Sequence, residues 1–192
     1  MEYEIIRSGR KTLAAQIKNG RLVVRAPRQA TDGEICAFVQ RNRRWIETHL
    51  EKARQQQTQL EAIPKLTQAQ LAALKAQAAQ IIGARTAYYA AQMGVSYGKI
   101  TIRCQRTRWG SCSARGDLSF NCLLLLAPPE VLDSVVVHEL AHRRLMNHSP
   151  AFYEQVLRVM PDYPQRRRWL KEHGPALLAQ AGKTAPESGA VK

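Results

Sequence analysis

The sequence predicts an α+β fold, with strands at the start and in the middle of the chain and helices between and after them. Apolar and polar residues alternate in residues 13–27 and 99–121, which indicates strands. Apolar residues recur at helical spacing in residues 32–57 and 67–93, which indicates helices. At 192 residues the chain is long enough for one sizeable core with a small accessory part.

The first part of the chain, residues 1–60, is predicted to be a β-hairpin followed by a helix. Asn19 and Gly20 are a typical two-residue hairpin turn because they lie between two alternating apolar segments. The helix is expected over residues 32–57. The expected strands are residues 5–6, 13–17 and 21–27.

A packing helix is predicted next, within residues 61–94. Pro64 interrupts the preceding helical pattern, since proline cannot continue a helix interior. A new pattern rich in Ala, Gln and Leu begins near residue 67. It stops at Gly94, because glycine readily takes the left-handed conformation in which many helices end.

A catalytic core is predicted over residues 95–175. It starts with two strands, residues 99–103 and 117–121, around a loop. A buried run of four leucines, residues 123–126, then leads to Pro128 and a helix expected to end near residue 146. Residues 176–192 are expected to be a C-terminal tail that is disordered at its end, because the last residues are rich in Gly, Pro, Ser and Lys.

The helix after Pro128 carries the motif His-Glu-Leu-Ala-His at residues 138–142. His138 and His142 lie one helical turn apart on one face, so both imidazoles can reach one metal ion. Glu139 lies beside them. His148 follows in a tight turn before a second helix, where Ser149 is the expected N-cap, and the turn can fold His148 back over the first helix.

These residues predict a catalytic zinc site. Three protein ligands and an open fourth position are typical of catalytic zinc, whereas structural zinc has four protein ligands. A bound Zn²⁺ would lower the pKa of its water from near 16 towards roughly 7, and Glu139 would be the general base. Three imidazoles also accept nickel, cobalt or manganese. Cys104, Cys112 and Cys122 are a weaker candidate metal site, because their spacing fits no common one.

Basic residues exceed acidic residues by 14, which favours polyanionic partners such as nucleic acid or nucleotides, unless the charge only keeps the protein in solution. Arginines close before the metal motif are candidate substrate contacts, together with neighbouring aromatic and hydroxyl side chains. The candidate substrate-binding residues are Arg106, Arg108, Trp109, Ser111 and Tyr153.

The chain resembles the YgjP-like metallopeptidase family, a zincin group related to SprT and WLM domains. The resemblance covers most of the chain, and four motifs carry it: residues 108–112, residues 118–121, Pro128 with residues 137–142, and residues 147–149 with Phe152. It implies a zincin-like core, in which a small antiparallel sheet packs on the motif helix. It also implies zinc on His138, His142 and His148, with Glu139 catalytic.

Three functions remain open on the sequence. The first is a zinc-dependent peptidase that takes an extended peptide along an edge strand. The second is a nucleoside triphosphate phosphohydrolase or pyrophosphatase that uses the same site, with Arg103, Arg106 and Arg108 holding phosphates. The third is a metalloprotein associated with nucleic acid through its basic surface. The first is favoured.

A cytoplasmic, non-membrane location is expected. No run of eighteen apolar residues appears, and the N-terminus has no signal-peptide pattern. The four cysteines show no CxxC spacing, so free thiols in a reducing compartment are expected.

Overall fold

The structure is a computed structural model that describes residues 1–18 and 20–181. Within those residues the chain has two three-stranded sheets and six α-helices, so the predicted α+β class is confirmed. The chain forms two compact units, one from Met1–Ala62 and the other from Ile63 onward. None of the helices in the described part of the chain combines the length and apolar character needed to cross a lipid bilayer.

The first unit is a three-stranded sheet followed by two helices. The predicted hairpin is present as an antiparallel strand pair, in which Lys18 lies opposite Arg21. Gly20 has a φ of 73°, and Asn19 lies outside the described residues. The first strand pairs in parallel on the other side of the third, which was not predicted. The elements are β1 (Glu4–Ser8), β2 (Ala14–Lys18), β3 (Arg21–Pro27), α1 (Asp32–Arg41) and α2 (Arg43–Ala62).

The prediction of a single helix over residues 32–57 is wrong, because the helix is interrupted at Asn42 and forms α1 and α2 instead. The Asn42 side-chain Nδ2 donates to the carbonyl oxygen of Phe38 at 2.8 Å, and its backbone N–H donates to the same oxygen at 3.2 Å. Asparagine competes in this way for backbone groups and so favours helix ends. The second helix then continues to Ala62, beyond the predicted end.

The second unit contains all the remaining elements. They are α3 (Gln68–Met93), β4 (Ile100–Arg103), β5 (Gly110–Cys112), β6 (Leu118–Asn121), a 3-10 helix (Cys122–Leu126), α4 (Pro129–Ala141), α5 (Pro150–Val159) and α6 (Tyr163–Ala179). The predicted packing helix is α3, which begins after the N-cap Thr67 and ends at Gly94 in the left-handed conformation, as predicted.

The sheet of the second unit is mixed rather than antiparallel, which corrects the prediction. Its order is β4-β6-β5, with β4 parallel to β6 and β5 antiparallel to β6. Strand β5 lies inside the segment that was predicted to be a loop. Because β5 separates β4 from β6 along the chain, the connection is long enough to bring those two strands together in parallel.

Helix α4 lies at the centre of the second core and is almost entirely buried. Val136, Val137 and Leu140 have no exposed surface, and they belong to the same apolar cluster as residues of α3, β6 and α5. Asp133 of α4 is also buried. Arg85 of α3 holds it by two hydrogen bonds, of 2.7 Å to Oδ1 and 2.5 Å to Oδ2. The sequence thereby fixes the rotation of α4.

Three further features of the second unit differ from the prediction. The four-leucine run is part of a 3-10 helix, and its last residue, Leu126, is 36% exposed rather than buried. Helix α4 ends at Ala141 rather than near residue 146, because the backbone N–H groups of Arg143 and Arg144 donate to carbonyls only three residues back. Helix α6 continues through residues 176–179 of the predicted tail, while residues 182–192 lie outside the described part.

Candidate active site

Three histidine side chains meet at the end of α4. They belong to His138, His142 and His148, and one ring nitrogen from each lies within 4.8 Å of the other two. The Nε2 atoms of His138 and His148 are 3.0 Å apart. Among the described residues, this is the only group of three or more His, Cys, Asp or Glu side chains close enough to share a metal ion. The three candidate cysteines do not form such a group.

Local structure explains how the three rings meet. His138 is in the last turn of α4 and His142 is its C-cap, so they lie one turn apart with ring centroids 5.0 Å from each other. The chain then turns back, and Ser149 caps α5 by accepting a hydrogen bond from the Phe152 N–H at 3.4 Å. Phe152 is fully buried, and its ring centroid lies 4.6–5.0 Å from those of all three histidines. Phe152 is thus the apolar floor of the cluster.

Hydrogen bonds to the Nδ1 atoms orient two of the rings. His142 Nδ1 lies 3.0 Å from the carbonyl oxygen of Leu145, which can only accept, so Nδ1 carries the proton. His138 Nδ1 lies 2.8 Å from the Tyr163 hydroxyl. Metal-binding histidines usually make such a bond with the nitrogen that does not bind the metal. Both rings are therefore arranged to present Nε2 to an ion.

Burial also keeps these imidazoles neutral. It lowers the pKa of His138 to about 3, with smaller contributions in the same direction from the other two histidines and from Arg167. Burial lowers the pKa of His142 as well, although the hydrogen bond with Leu145 opposes it. A metal ion binds neutral imidazole, so the protonation state and the orientation both fit a transition-metal ion.

Glu139 is the only carboxylate that lines the site within the described residues. It is 5% exposed, and a Cβ atom added to Gly110 of β5 would lie only 2.5 Å from its Oε1 atom. Burial raises the pKa of the Glu139 carboxyl to about 8, and the charge of Arg108 acts in the opposite direction. A carboxylate beside a cation ionises more readily, so a bound metal ion would favour the form that accepts protons.

Strand β5 forms the edge of the sheet beside Glu139. Backbone hydrogen bonds join Asn121 to Trp109 and Ser113 to Asp117, and Ser111 lies opposite Ser119 between these pairs. In an antiparallel ladder alternate residues face the partner strand, so the backbone groups of Gly110 and Cys112 face away from β6. This outer edge has no strand partner in the described sheet.

A cavity of about 440 Å³ opens beside the histidines. Of the predicted substrate contacts, Trp109 and Tyr153 line it, whereas Arg106, Arg108 and Ser111 do not. The other lining residues are Gly110, Ser134, Val135, His138, Glu139, His148, Tyr163, Arg167, Leu170 and Lys171. A larger cavity of about 1410 Å³ lies in the first unit, and no histidine or cysteine lines it.

Sequence reasoning missed Arg167 and Lys171 as site residues. Tyr163, Arg167 and Lys171 follow one another at intervals of four along α6, so they share one helical face. That spacing was visible in the sequence. The sequence did not indicate, however, that this face of α6 would pack next to α4.

Comparisons with known proteins identify one matching family profile and two similar solved structures. The profile of the YgjP-like family, described as a metallopeptidase domain, matches residues 11–71 and 61–173. The chain is similar in structure to the metallopeptidase zymogen abylysin of Pyrococcus abyssi, with 20% identity, a TM-score of 0.43, and 47% of this chain and 93% of abylysin covered. The metallopeptidase zymogen jannalysin of Methanocaldococcus jannaschii is similar at 16% identity, a TM-score of 0.43, and 47% and 94% coverage. No curated protein matches, and no comparison supports the nucleotide phosphohydrolase.

Proposed function

The chain belongs to the YgjP-like metallopeptidase family, and from that premise we propose that it is a peptidase that depends on one divalent metal ion. His138, His142 and His148 hold the ion, and Glu139 is the general base. The observation that carries the proposal is the cluster of three histidine nitrogens within 4.8 Å beside a buried carboxylate. Zinc is the expected ion, because three imidazoles and an open position are its usual catalytic environment.

A zinc ion held by His138, His142 and His148 would supply acidity at neutral pH, because zinc lowers the pKa of a coordinated water to about 7 and polarises a carbonyl oxygen. The protein's own groups supply the rest. Glu139 accepts a proton from the attacking water and returns it to the leaving amine. Its burial keeps bulk water away from the carboxylate. Tyr163 fixes the ring plane of His138 through Nδ1.

The free edge of β5 is the proposed binding place for the peptide backbone. An extended peptide added to this edge would exchange hydrogen bonds with the outward-facing groups of Gly110 and Cys112. Gly110 also contacts Glu139, so a peptide on this edge passes next to the general base. Side chains of the peptide would then enter the cavity between β5 and α6, which Trp109 and Tyr163 line.

The test compares wild-type protein loaded with zinc with two variants, Glu139→Gln and His142→Ala. An unfolded protein is the substrate, and mass spectrometry identifies the products. We expect Glu139→Gln to keep its metal content and lose turnover, because only the base is removed. We expect His142→Ala to lose both, because a ligand is removed. Glu154→Gln, on the exposed surface of α5, is the matched control and should cleave normally.

Two results would contradict the proposal. Normal peptide cleavage by Glu139→Gln would remove Glu139 from the reaction. Full activity after complete chelation of metal from the wild-type protein would remove the metal. Adding nucleoside triphosphates to the same reaction tests the phosphohydrolase at the same time, since their hydrolysis releases phosphate or pyrophosphate.

A further inference from the structure

Two cations on α6 project into the cavity beside the histidines. Arg167 and Lys171 both line it, one helical turn apart, on the face that also carries Tyr163. The guanidinium of Arg167 lies 5.8 Å from the centre of the Tyr153 ring, in position for a cation–π contact. That contact places the Arg167 guanidinium beside Tyr153, which also lines the cavity.

Helix α6 is itself held firmly against the site. Gly174 packs on Trp109, since a Cβ atom at Gly174 would lie 3.1 Å from Trp109 Cζ2. At the other end, Arg166 Nη1 donates to the Glu130 carbonyl oxygen of α4 at 3.0 Å. The part of the α6 backbone that carries the two cations is therefore fixed relative to α4 and β5.

No acidic side chain of the described residues pairs with Arg167 or Lys171. Within the described residues neither forms an ion pair, although Arg166, the neighbour of Arg167, pairs with Asp162 at 2.7 Å. Glu139 is the only carboxylate among the described residues that line the cavity, and the proposed reaction requires it as a base. Like charges one turn apart on a helix destabilise it, and a bound divalent ion adds further positive charge. The cavity thus has an excess of positive charge that an anionic group would neutralise.

We infer that Arg167 and Lys171 form a subsite for a carboxylate of the substrate, namely an acidic side chain near the scissile bond or the terminal carboxylate of a short peptide. The inference rests on the proposed peptidase function and adds a substrate class to it. Arginine suits this role because its planar guanidinium donates two parallel hydrogen bonds to a carboxylate. Lysine adds a second charge one turn further along the cavity.

The experiment uses zinc-loaded full-length protein and matched peptides built around a cleaved sequence. In the first kind of pair, one peptide has Glu and the other has Gln at the same position near the cleavage point, and each such position is tested in turn. A second pair differs by a free or amidated C-terminus. We expect kcat/KM to favour the carboxylate member of one pair by about tenfold, the usual effect of a hydrogen bond to a charged group. The pair that shows the preference tells whether the recognised carboxylate is that of a side chain or that of the C-terminus.

Variants then assign the preference to the two cations. The preference should fall in Arg167→Gln and in Lys171→Gln, and disappear in the double variant. Arg168→Gln is the matched control, because Arg168 is an exposed neighbour on the same helix that does not line the cavity, and it should keep the wild-type preference. In the Arg167→Glu, Lys171→Glu protein the preference should reverse in favour of a Lys-containing peptide. A structural role for these residues would lower all rates without changing the ratio.

Peptide binding to the inactive Glu139→Gln protein separates this inference from the proposed function. Preferential binding of a carboxylate peptide that requires Arg167 and Lys171 supports the subsite even if wild-type protein cleaves nothing, which would refute the peptidase. Equal binding and cleavage within both peptide pairs would overturn the subsite and leave the peptidase standing. An absence of any peptide binding would overturn both. Tighter binding of a nucleoside triphosphate through the same cations would overturn the carboxylate assignment in favour of phosphate.

Discussion

Replacing Gly110 by Ala should impair catalysis much more than folding. The new Cβ atom would lie 2.5 Å from Oε1, 2.7 Å from Cγ and 2.8 Å from Cδ of Glu139. These distances are well below ordinary contact, which begins near 3.4 Å, so the two groups must separate by about 1 Å. Hydrogen bonds to β6 hold the β5 backbone in place. The carboxylate is therefore the group that moves.

The size of the effect follows from that displacement. A misplacement of about 1 Å of a catalytic group can cost about 100-fold in rate, so we expect kcat to fall by about that factor. The free energy of unfolding should fall by no more than about 2 kcal/mol, because overpacking of a buried side chain costs about 1–3 kcal/mol and replacing a strand glycine by Ala returns about 0.5–1 kcal/mol. Zinc content should stay unchanged, since the three histidines are not displaced.

The assay is steady-state peptide hydrolysis, together with metal analysis and urea denaturation. Gly83→Ala is the matched control, because a Cβ atom at Gly83 in helix α3 meets nothing within 4 Å. It should keep full activity and gain slightly in stability. Full kcat in Gly110→Ala protein would refute the reasoning, as would an equal loss of kcat and of zinc.

Three further predictions concern the support of the site. Tyr163→Phe removes the hydroxyl 2.8 Å from His138 Nδ1, so zinc affinity should fall about 10- to 100-fold in competition with a chelator. Arg85→Met removes the ion pair of the buried Asp133 carboxylate and leaves it the Tyr89 hydroxyl as a donor, so the change should cost about 2 kcal/mol in urea denaturation, less than for a fully buried pair because Arg85 is partly exposed. The pKa of His138 is lowered to about 3 and that of His142 is also lowered, so the unfolded state binds more protons below pH 6.5. The contribution of His138 to the stability of the metal-free protein is thus fully present above pH 6.5 and is lost as pH drops, by about 2 kcal/mol at pH 5. The raised pKa of Glu139 acts in the opposite direction over this range, so the His138 contribution is measured as the difference in stability between wild type and His138→Gln.

Each of these predictions has a control. Tyr88→Phe changes an exposed tyrosine of α3 and should leave zinc affinity intact. Arg158→Met changes an exposed arginine of α5 and should leave stability intact. The stability of metal-free wild-type protein minus that of metal-free His138→Gln should fall by about 2 kcal/mol from pH 7 to pH 5. Unchanged zinc affinity in Tyr163→Phe, unchanged stability in Arg85→Met, or a difference in stability between metal-free wild type and His138→Gln that stays constant from pH 7 to pH 5 would each contradict the corresponding reasoning.

The sequence predicts best those features that depend on neighbouring residues in the chain. The positions of His138 and His142 follow from helical spacing alone, and the return of His148 follows from the Ser149 cap. The helix end at Gly94 and the β2–β3 hairpin are likewise local. Each is correct in the structure because preferences between neighbouring residues are enough to specify it.

Features that depend on distant contacts were not predictable in this way. The parallel pairing of β4 with β6 depends on which strands meet, and alternation of apolar residues does not specify a partner. The contact of Gly110 with Glu139 joins residues 29 positions apart in the sequence. Asn121 is a third case. Its buried side chain donates to the carbonyl oxygens of Gln105 and Arg108 and so fixes the loop before β5.

The position of His148 has a kinetic consequence. His138 and His142 lie on or directly after a buried helix, whereas His148 is exposed in the turn between α4 and α5. Arg144 anchors the start of that turn through a hydrogen bond to the Met93 carbonyl oxygen, so only the residues after it need to move to free one ligand. Opening a surface turn costs far less than unfolding a helix core. A chelator should therefore remove the metal from folded protein, at a rate that substitutions in this turn change and substitutions in the core do not.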